Sequence, residues 1–189
     1  MALSVGNVQH LTPEHGLAGA VVRSVERTPD GRVWFGCWGR GISAFDGVNW
    51  TTYDQASGLP SDDVRVIKLD AQGRLWAGMA GGLVCHIGDQ WVSVDTGLEA
   101  FGAPQVFTIC PFPDGSVWFG LGGGQVIAFQ PDPSDNGTGI PRGSWTVQLD
   151  QDVSQMPGAV EAVVPLPDGT VMVGTNTRGI LRWRDNEWF

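Results

Sequence analysis

The chain has 189 residues, enough for one domain or one set of repeats with a buried core. Hydrophobic residues make up 42% and charged residues 16%, which excludes a disordered chain. The formal net charge of -9 disfavours binding to nucleic acid and to anionic membrane surfaces. No apolar run reaches the length of a membrane helix, so we expect no nucleic-acid partner and no membrane insertion.

Four related segments organise the chain. Each joins a turn dipeptide to four mostly apolar residues and a glycine, a pattern typical of a hairpin that leads into a buried strand. The segments are 29–36, 71–78, 113–120 and 167–174. Trp34, Trp76 and Trp118 recur at intervals of 42 residues, and Met172 follows 54 residues after Trp118. A period of this length is typical of propeller blades.

Four short strands are predicted in each repeat unit. In the first unit they are 21–28, 32–35, 42–45 and 50–53, and in the second 64–69, 74–77, 83–87 and 91–94. One four-stranded sheet cannot bury both of its faces, whereas sheets stacked around an axis can. We therefore predict an all-β fold, a β-propeller of four four-stranded antiparallel blades. It forms a single domain over residues 1–189, with repeats at about 8–50, 51–91, 92–145 and 146–189.

The two ends of the chain suggest how the blades are completed. The fourth unit stops at Trp188-Phe189, so its last strand is predicted to be missing, while residues 8–11 resemble the outer strand 50–53. The preferred interpretation is a monomeric ring in which the N-terminal strand completes the C-terminal blade and leaves no open edge. A homodimer that exchanges these strands in an eight-bladed ring, and a fragment of a longer array, are the alternatives.

The third unit is longer than the others because of the segment 130–144. Its Pro, Gly, Asp and Asn content predicts an exposed, mobile loop. The loop is either a contact loop or, as we prefer, a tolerated insertion.

Several motifs resemble the two-component regulator propeller repeat. They are the Asp-x-x-Gly-x-x-Trp motif at 70–76, Gly-Gly-Leu at 81–83, Gly-x-x-Trp at 47–50 and Gly-Leu-Pro at 58–60. The fourth unit departs from this pattern at Met172 and at 155–157. The resemblance implies a ligand-sensing propeller, commonly the extracytoplasmic part of a hybrid histidine kinase with more than four repeats. We expect a non-enzymatic module for binding or interaction.

Four residues form the predicted ligand-binding site: Trp38, Arg40, Asn176 and Arg178. Trp38 breaks the repeat pattern, and an exposed Trp can stack on a ligand or anchor a partner. Arg40 and Arg178 fill the same slot in two units, and paired guanidinium groups suit a carboxylate, sulfate or phosphate. The alternatives are that Trp38 packs over the channel mouth and that the arginines pair with acidic residues of the rim.

No catalytic, metal or cofactor site is predicted. His10, His15 and His86 do not converge on one place, and His86 occupies a slot held by aromatic residues in other units. Cys37, Cys85 and Cys110 lie in or beside apolar strands and lack metal-ligand spacing. A propeller enzyme of the lyase or lactonase type, with chemistry at the channel mouth, is the alternative function.

The partner is predicted to be an unidentified small ligand or protein. Residues 1–10 lack the basic segment and the apolar segment of a signal peptide. A full-length chain of this sequence is therefore expected to be cytoplasmic.

Overall fold

The computed structural model describes residues 10–97, 104–149, 158–185 and 187–188. Its regular structure is β apart from two 3-10 turns, Pro13–His15 and Gln55–Ser57. The predicted all-β class is confirmed.

Within these residues, sixteen strands form four separate antiparallel sheets. The first sheet contains β1 (Val22–Arg27), β2 (Val33–Cys37), β3 (Gly41–Phe45) and β4 (Trp50–Tyr53). The second contains β5 (Val64–Leu69), β6 (Leu75–Met79), β7 (Gly82–Ile87) and β8 (Gln90–Ser93). The third contains β9 (Val106–Pro111), β10 (Val117–Leu121), β11 (Val126–Pro131) and β12 (Gly143–Leu149). The fourth contains β13 (Val160–Pro165), β14 (Val171–Thr175), β15 (Gly179–Arg184) and β16 (Glu187–Trp188).

In each sheet the strands follow one another in chain order, which is the arrangement of a propeller blade. The turn between the first two strands of each blade contains a glycine at positive φ. These glycines are Gly31, Gly73, Gly115 and Gly169, with φ between 80° and 91°. An L side chain rarely adopts this conformation, so the repeated glycine sets the hairpin. The predicted four-bladed architecture is confirmed.

The blades stack on one another through three clusters of buried residues, one at each junction between consecutive blades. The repeated aromatic residues lie in these clusters: Trp34 is 2% exposed, Trp76 is fully buried, and Trp118 is 6% exposed. The first strands of consecutive blades contact each other, so β1, β5, β9 and β13 form the inner wall of the arc.

A close glycine–valine contact recurs at each of these junctions. A methyl group added at the glycine of the second strand would approach the first valine of the next blade to between 2.4 and 3.0 Å. The pairs are Gly36 with Val64, Gly78 with Val106, and Gly120 with Val160. The glycines therefore let the inner strands approach one another closely.

The last blade carries its own outer strand. The sequence predicted that this strand is missing, but β16 pairs with β15 through Trp183 opposite Trp188. That prediction is wrong. The chain turns at Asp185, which has a φ of 52°, and the two residues of β16 are enough to continue the ladder. The N-terminal strand expected at 8–11 lies partly outside the described residues, and His10 and Leu11 are not in a strand. Closure by that strand stays a prediction.

The 130–144 insertion is exposed over most of its length, as predicted. It is nevertheless anchored, because the carboxylate of Asp135 lies 2.7 Å from the guanidinium of Arg74 in the second blade. The Arg74 side chain is completely buried, and it also contacts the Asp70 carboxylate at 3.4 Å. The insertion therefore ties the third blade to the second.

Candidate functional site

The inner strand of each blade contains a β-bulge at the same place. The register shifts after the first residue of β1, β5, β9 and β13. The bulged residues are Arg23, Arg65, Phe107 and Glu161. A bulge re-aims the side chain of the extra residue, and bulges are common next to functional sites. The fold therefore directs four side chains of three chemical types, two arginines, a phenylalanine and a glutamate, from equivalent positions of the inner wall.

A repeated backbone hydrogen bond places the loop between the second and third strands beside these bulges. In each blade, a backbone N–H of this loop donates to the carbonyl of the residue that directly precedes the inner strand. The four bonds join Trp38 to Val21 at 2.9 Å, Ala80 to Asp63 at 3.1 Å, Gly122 to Gln105 at 2.8 Å, and Asn176 to Ala159 at 3.2 Å. The Trp38 indole therefore lies next to the first bulge.

Arginine and aromatic side chains pair at this rim. The guanidinium carbon of Arg23 lies 4.4 Å from the ring centre of Trp38, which is 50% exposed. The guanidinium of Arg65 lies 4.0 Å from the ring of Phe107 in the next blade. Both distances are those of cation–π contacts. We call Arg23, Trp38, Arg65 and Phe107 the bulge rim.

The two arginines of the bulge rim differ in their ion pairing. Arg65 contacts the Asp63 carboxylate at 3.2 Å, and both side chains are mostly buried. Arg23 is exposed, and none of the ion pairs among the described residues includes it. The Arg23 guanidinium, held over an exposed indole, is thus available to an anion.

The predicted site residues lie in equivalent loops of two different blades. Trp38 and Arg40 lie between β2 and β3, whereas Asn176 and Arg178 lie between β14 and β15. Three blade junctions separate the two pairs along the arc, and the described residues show no buried cluster that joins the first blade to the fourth. The role of the four residues in ligand binding stays a prediction.

The surroundings of Arg40 and Asn176 differ from those expected. The stem of Arg40 packs on Gly19, where an added methyl group would lie 2.8 Å from its Cγ. The ion pairs of the described residues do not join Arg40 to Asp62 or Glu14. The side-chain oxygen of Asn176 accepts a bond from the backbone of Ala159 at 2.9 Å, so this residue also fastens its own loop.

Sequence reasoning missed Arg23, Arg65 and Phe107. Each lies 11 residues before the repeated Trp of its unit, directly after a valine. The sequence did contain a signal for these residues, since an arginine or a phenylalanine recurs at one fixed position of an otherwise apolar inner strand. The bulge that directs these side chains has no signature of its own in the sequence.

His86, Cys85 and Cys110 lie in apolar or aromatic surroundings typical of packing residues. The ring of His86 lies 4.6 Å from that of Trp34 and 5.1 Å from that of Trp91, which confirms the aromatic packing slot. Burial lowers the pKa of His86, and it raises the pKa of Cys85 to about 12 and that of Cys110 to about 11. The part of the chain that the structure describes contains no cluster of His, Cys, Asp and Glu side chains suited to a metal ion.

A groove of about 610 Å³ lies at the junction of the third and fourth blades. Its lining includes Phe112, Trp118 and Trp183, and Asp114 is its one charged residue. A ligand site usually combines an apolar lining with several convergent polar groups. The bulge rim has this combination of aromatic and charged groups, and the groove does not.

The fold and the rim together define a class of protein, an arc of propeller blades with a basic and aromatic inner edge. Two segments, residues 16–39 and 58–81, match the two-component regulator propeller family. Parts of the first two blades thus match this repeat, and the predicted resemblance is confirmed. Comparison with curated protein sequences finds no match.

Three solved structures illustrate the fold. One is described as the extracellular domain of the hybrid two-component system BT3049 from B. thetaiotaomicron. It is 16% identical to this chain with a TM-score of 0.72, and the match covers 94% of this chain and 24% of that one. A catalytically inactive virginiamycin B lyase from Staphylococcus aureus, solved with quinupristin, is 13% identical with a TM-score of 0.63 over 89% and 54% of the two chains. YCF48 bound to D1 peptide is 16% identical with a TM-score of 0.58 over 87% and 51%.

At these identities the similarity shows the fold alone. The chain spans only about a quarter to a half of the length of these three proteins. None of the helical segments in the described ranges has the length and apolarity needed to cross a bilayer. Because BT3049 contributes an extracellular domain, the comparisons do not support the cytoplasmic expectation.

Proposed function

We propose that this chain is a non-enzymatic propeller module that binds a carboxylate-bearing ligand through the bulge rim. One observation carries the proposal: the half-exposed Trp38 indole is held 4.4 Å from the guanidinium of Arg23. An exposed Trp of this kind offers a flat apolar surface, and the guanidinium beside it can donate two parallel hydrogen bonds to a carboxylate.

The electrostatics of the rim support an anionic ligand. The chain as a whole carries a formal charge of -9, and Arg65 is paired with Asp63, yet Arg23 and the neighbouring Arg40 lie at or beside the bulge rim and take part in none of the ion pairs among the described residues. Local positive charge on an acidic protein raises the local concentration of anions at that place. Arginine is better suited than lysine to this task, because its planar fork matches a carboxylate and also stacks on an aromatic ring.

Peptides with a free C-terminal carboxylate are the ligand class that we propose to test first. A terminal carboxylate would engage Arg23, and an adjacent side chain would stack on Trp38. YCF48, a propeller of similar fold, is described as bound to the D1 peptide. Ligand sensing, as implied by the two-component regulator propeller repeats, is the physiological role that such binding would serve.

The test compares two peptide arrays that differ only in the C-terminal group, a free carboxylate in one and an amide in the other. We expect binding to be enriched among the free carboxylates. For the best peptide, titration calorimetry should show binding about 5- to 160-fold weaker for Trp38→Ala and for Arg23→Gln, since each removes about 1–3 kcal/mol of contact. Arg142→Gln is the matched control for charge, because Arg142 is an exposed arginine of the 130–144 insertion.

Three results would contradict the proposal. Equal binding of carboxylate and amide peptides would show that the terminal carboxylate is not recognised. Unchanged affinity in Trp38→Ala would show that the peptide does not bind at the bulge rim. New products found by mass spectrometry after incubation with the bound peptide would instead favour a propeller enzyme.

A further inference from the structure

The glycine–valine contact that joins consecutive blades occurs three times, but the chain contains the residues for four. The unused glycine is Gly174 in β14, and the unused valine is Val22 at the start of β1. A methyl group added at Gly174 would meet only Ala162 of its own blade, at 3.6 Å. Val22 is 37% exposed, whereas the three matching valines are completely buried. Both halves of a fourth contact therefore remain open.

On the face of the first blade that contains Val22, an apolar residue occupies a position that is buried in the other three blades. Val25 occupies the place that Ile67, Ile109 and Val163 hold in the other blades. Those three residues are at most 5% exposed, because the preceding blade covers them, but Val25 is 54% exposed. The first blade thus presents an apolar face suited to a preceding blade.

The fourth blade presents the complementary face. Ile180 lies opposite Gly174 in the ladder, the place that Ile42, Leu83 and Val126 hold opposite their glycines. Those residues are at most 4% exposed, because the following blade covers them, whereas Ile180 is 66% exposed. Val164 on the same face is 50% exposed. This face is suited to a following blade.

We propose that two copies of this chain join head to tail, each fourth blade docking on the first blade of the other copy. In the single chain, Gly174 and Val22 do not meet, and a second copy supplies the missing partner to each. The contact between copies repeats the one already made three times within each chain. Two such contacts complete a ring of eight blades, a size found among propellers. A head-to-tail contact either closes into a ring or continues as an open polymer, and the proposal is the closed ring.

Light scattering after size exclusion, over a wide range of protein concentration, measures the assembly directly. We expect a mass twice that of the 20.2 kDa chain. Gly174→Leu places a large side chain at a position where an added Cβ meets only Ala162 of its own blade, at 3.6 Å, and where the docking valine would lie. Val22→Asp places a charge at the centre of the other face. Each should raise the dissociation constant at least about 30-fold, the effect of losing a central interface contact of about 2 kcal/mol.

Two controls separate docking from folding. Val48→Asp changes a valine that is 82% exposed in the turn between β3 and β4, outside both faces, and should leave the dimer intact. Circular dichroism should show an unchanged β fold in all three variants. A one-to-one mixture of Gly174→Leu and Val22→Asp retains one intact contact, so a heterodimer weaker than the wild-type dimer is expected.

The remaining outcomes would overturn the proposal. A wild-type chain that stays monomeric at all concentrations has no such contact, and a mass that grows without limit indicates an open polymer. A dimer that both interface variants leave unchanged uses another surface. Variants that each still dimerise alone but do not associate with each other when mixed would indicate that like faces, and not unlike faces, pair.

Discussion

The buried ion pair between the 130–144 insertion and the second blade makes a sharp prediction about stability. Asp135 accepts three bonds: from the Arg74 guanidinium at 2.7 Å and from the backbone N–H groups of Gly137 at 3.0 Å and Arg142 at 2.9 Å. Asp135→Ala removes all three hydrogen bonds and leaves a buried guanidinium whose remaining ion-pair partner is the Asp70 carboxylate at 3.4 Å.

The expected loss of unfolding free energy is about 3 kcal/mol. Removing one partner of a buried ion pair destabilises a protein by about 3–5 kcal/mol, because the remaining charge stays desolvated. The lower end applies here, since Asp70 still compensates part of the charge of Arg74. For a chain of this size, a loss of about 3 kcal/mol lowers the melting temperature by roughly 6–12 °C.

Urea unfolding at pH 7, with the midpoint and the slope both fitted, measures this loss. Asp132→Ala is the matched control, because Asp132 is an exposed acid of the same insertion; its effect should stay within about 0.5 kcal/mol. A loss below about 1 kcal/mol for Asp135→Ala, with an unchanged slope, would show that the ion pair does not stabilise the protein in solution.

The same substitution has a pH dependence of known sign. Burial raises the pKa of Asp135, but the bonds from Arg142, Gly137 and Arg74 outweigh burial, so the pKa lies below its usual value. The stabilisation is therefore present above the ordinary Asp pKa of about 4 and is lost as the pH falls through the lower folded value. The difference between wild type and Asp135→Ala should shrink below about pH 4.

Three further predictions concern the core. In Trp76→Phe, the Asp70 carboxylate loses the indole N–H that donates to it at 2.8 Å, which should lower the unfolding free energy by about 1.5–3 kcal/mol in urea titration. Gly120→Ala should destabilise by about 1–3 kcal/mol, because its methyl group would lie 2.4 Å from Val160. Burial raises the pKa of Cys85 to about 12, so iodoacetamide at pH 8 should modify this thiol only after denaturation, as read by mass spectrometry.

Each of the two substitutions has its own control. Trp118→Phe should cost less than Trp76→Phe, because Trp118 stacks on Phe112 at 4.8 Å and is not bonded to the Asp70 carboxylate. In the Val22→Asp background, which removes the proposed docking, Gly174→Ala should be nearly neutral for the fold, because its methyl group meets only Ala162 of its own blade at 3.6 Å. Equal losses within either pair would contradict the packing described above, and modification of native Cys85 would contradict its burial.

The repeat pattern predicted most of the secondary structure. The strand predicted at 64–69 is β5, with the same bounds, and the strand predicted at 50–53 is β4. Local turn chemistry and apolar patterning suffice for this result, because a blade is built from hairpins between neighbouring residues in sequence. The fourth strand of the last blade escaped prediction, since a two-residue strand has no pattern of its own.

The candidate site was only partly predictable. Trp38 stood out because it interrupts a repeat, but Arg23, which lies over its ring, did not. A bulge depends on how one strand pairs with the next, and the sequence of one strand does not specify it. The ion pair of Asp135 with Arg74 was also missed, since the two residues are 61 positions apart and meet only when the blades stack.

The repeat, the four blades and the turns between their strands could be read from the sequence, because they depend on contacts that are local along the chain. The contacts between blades became visible in the tertiary structure. It paired the aromatic and arginine side chains of the bulge rim, anchored the 130–144 insertion, and left Gly174 and Val22 without their partners. The physical reason is that stacking brings together residues about one repeat or more apart, whose mutual fit is not encoded in the pattern of either repeat alone.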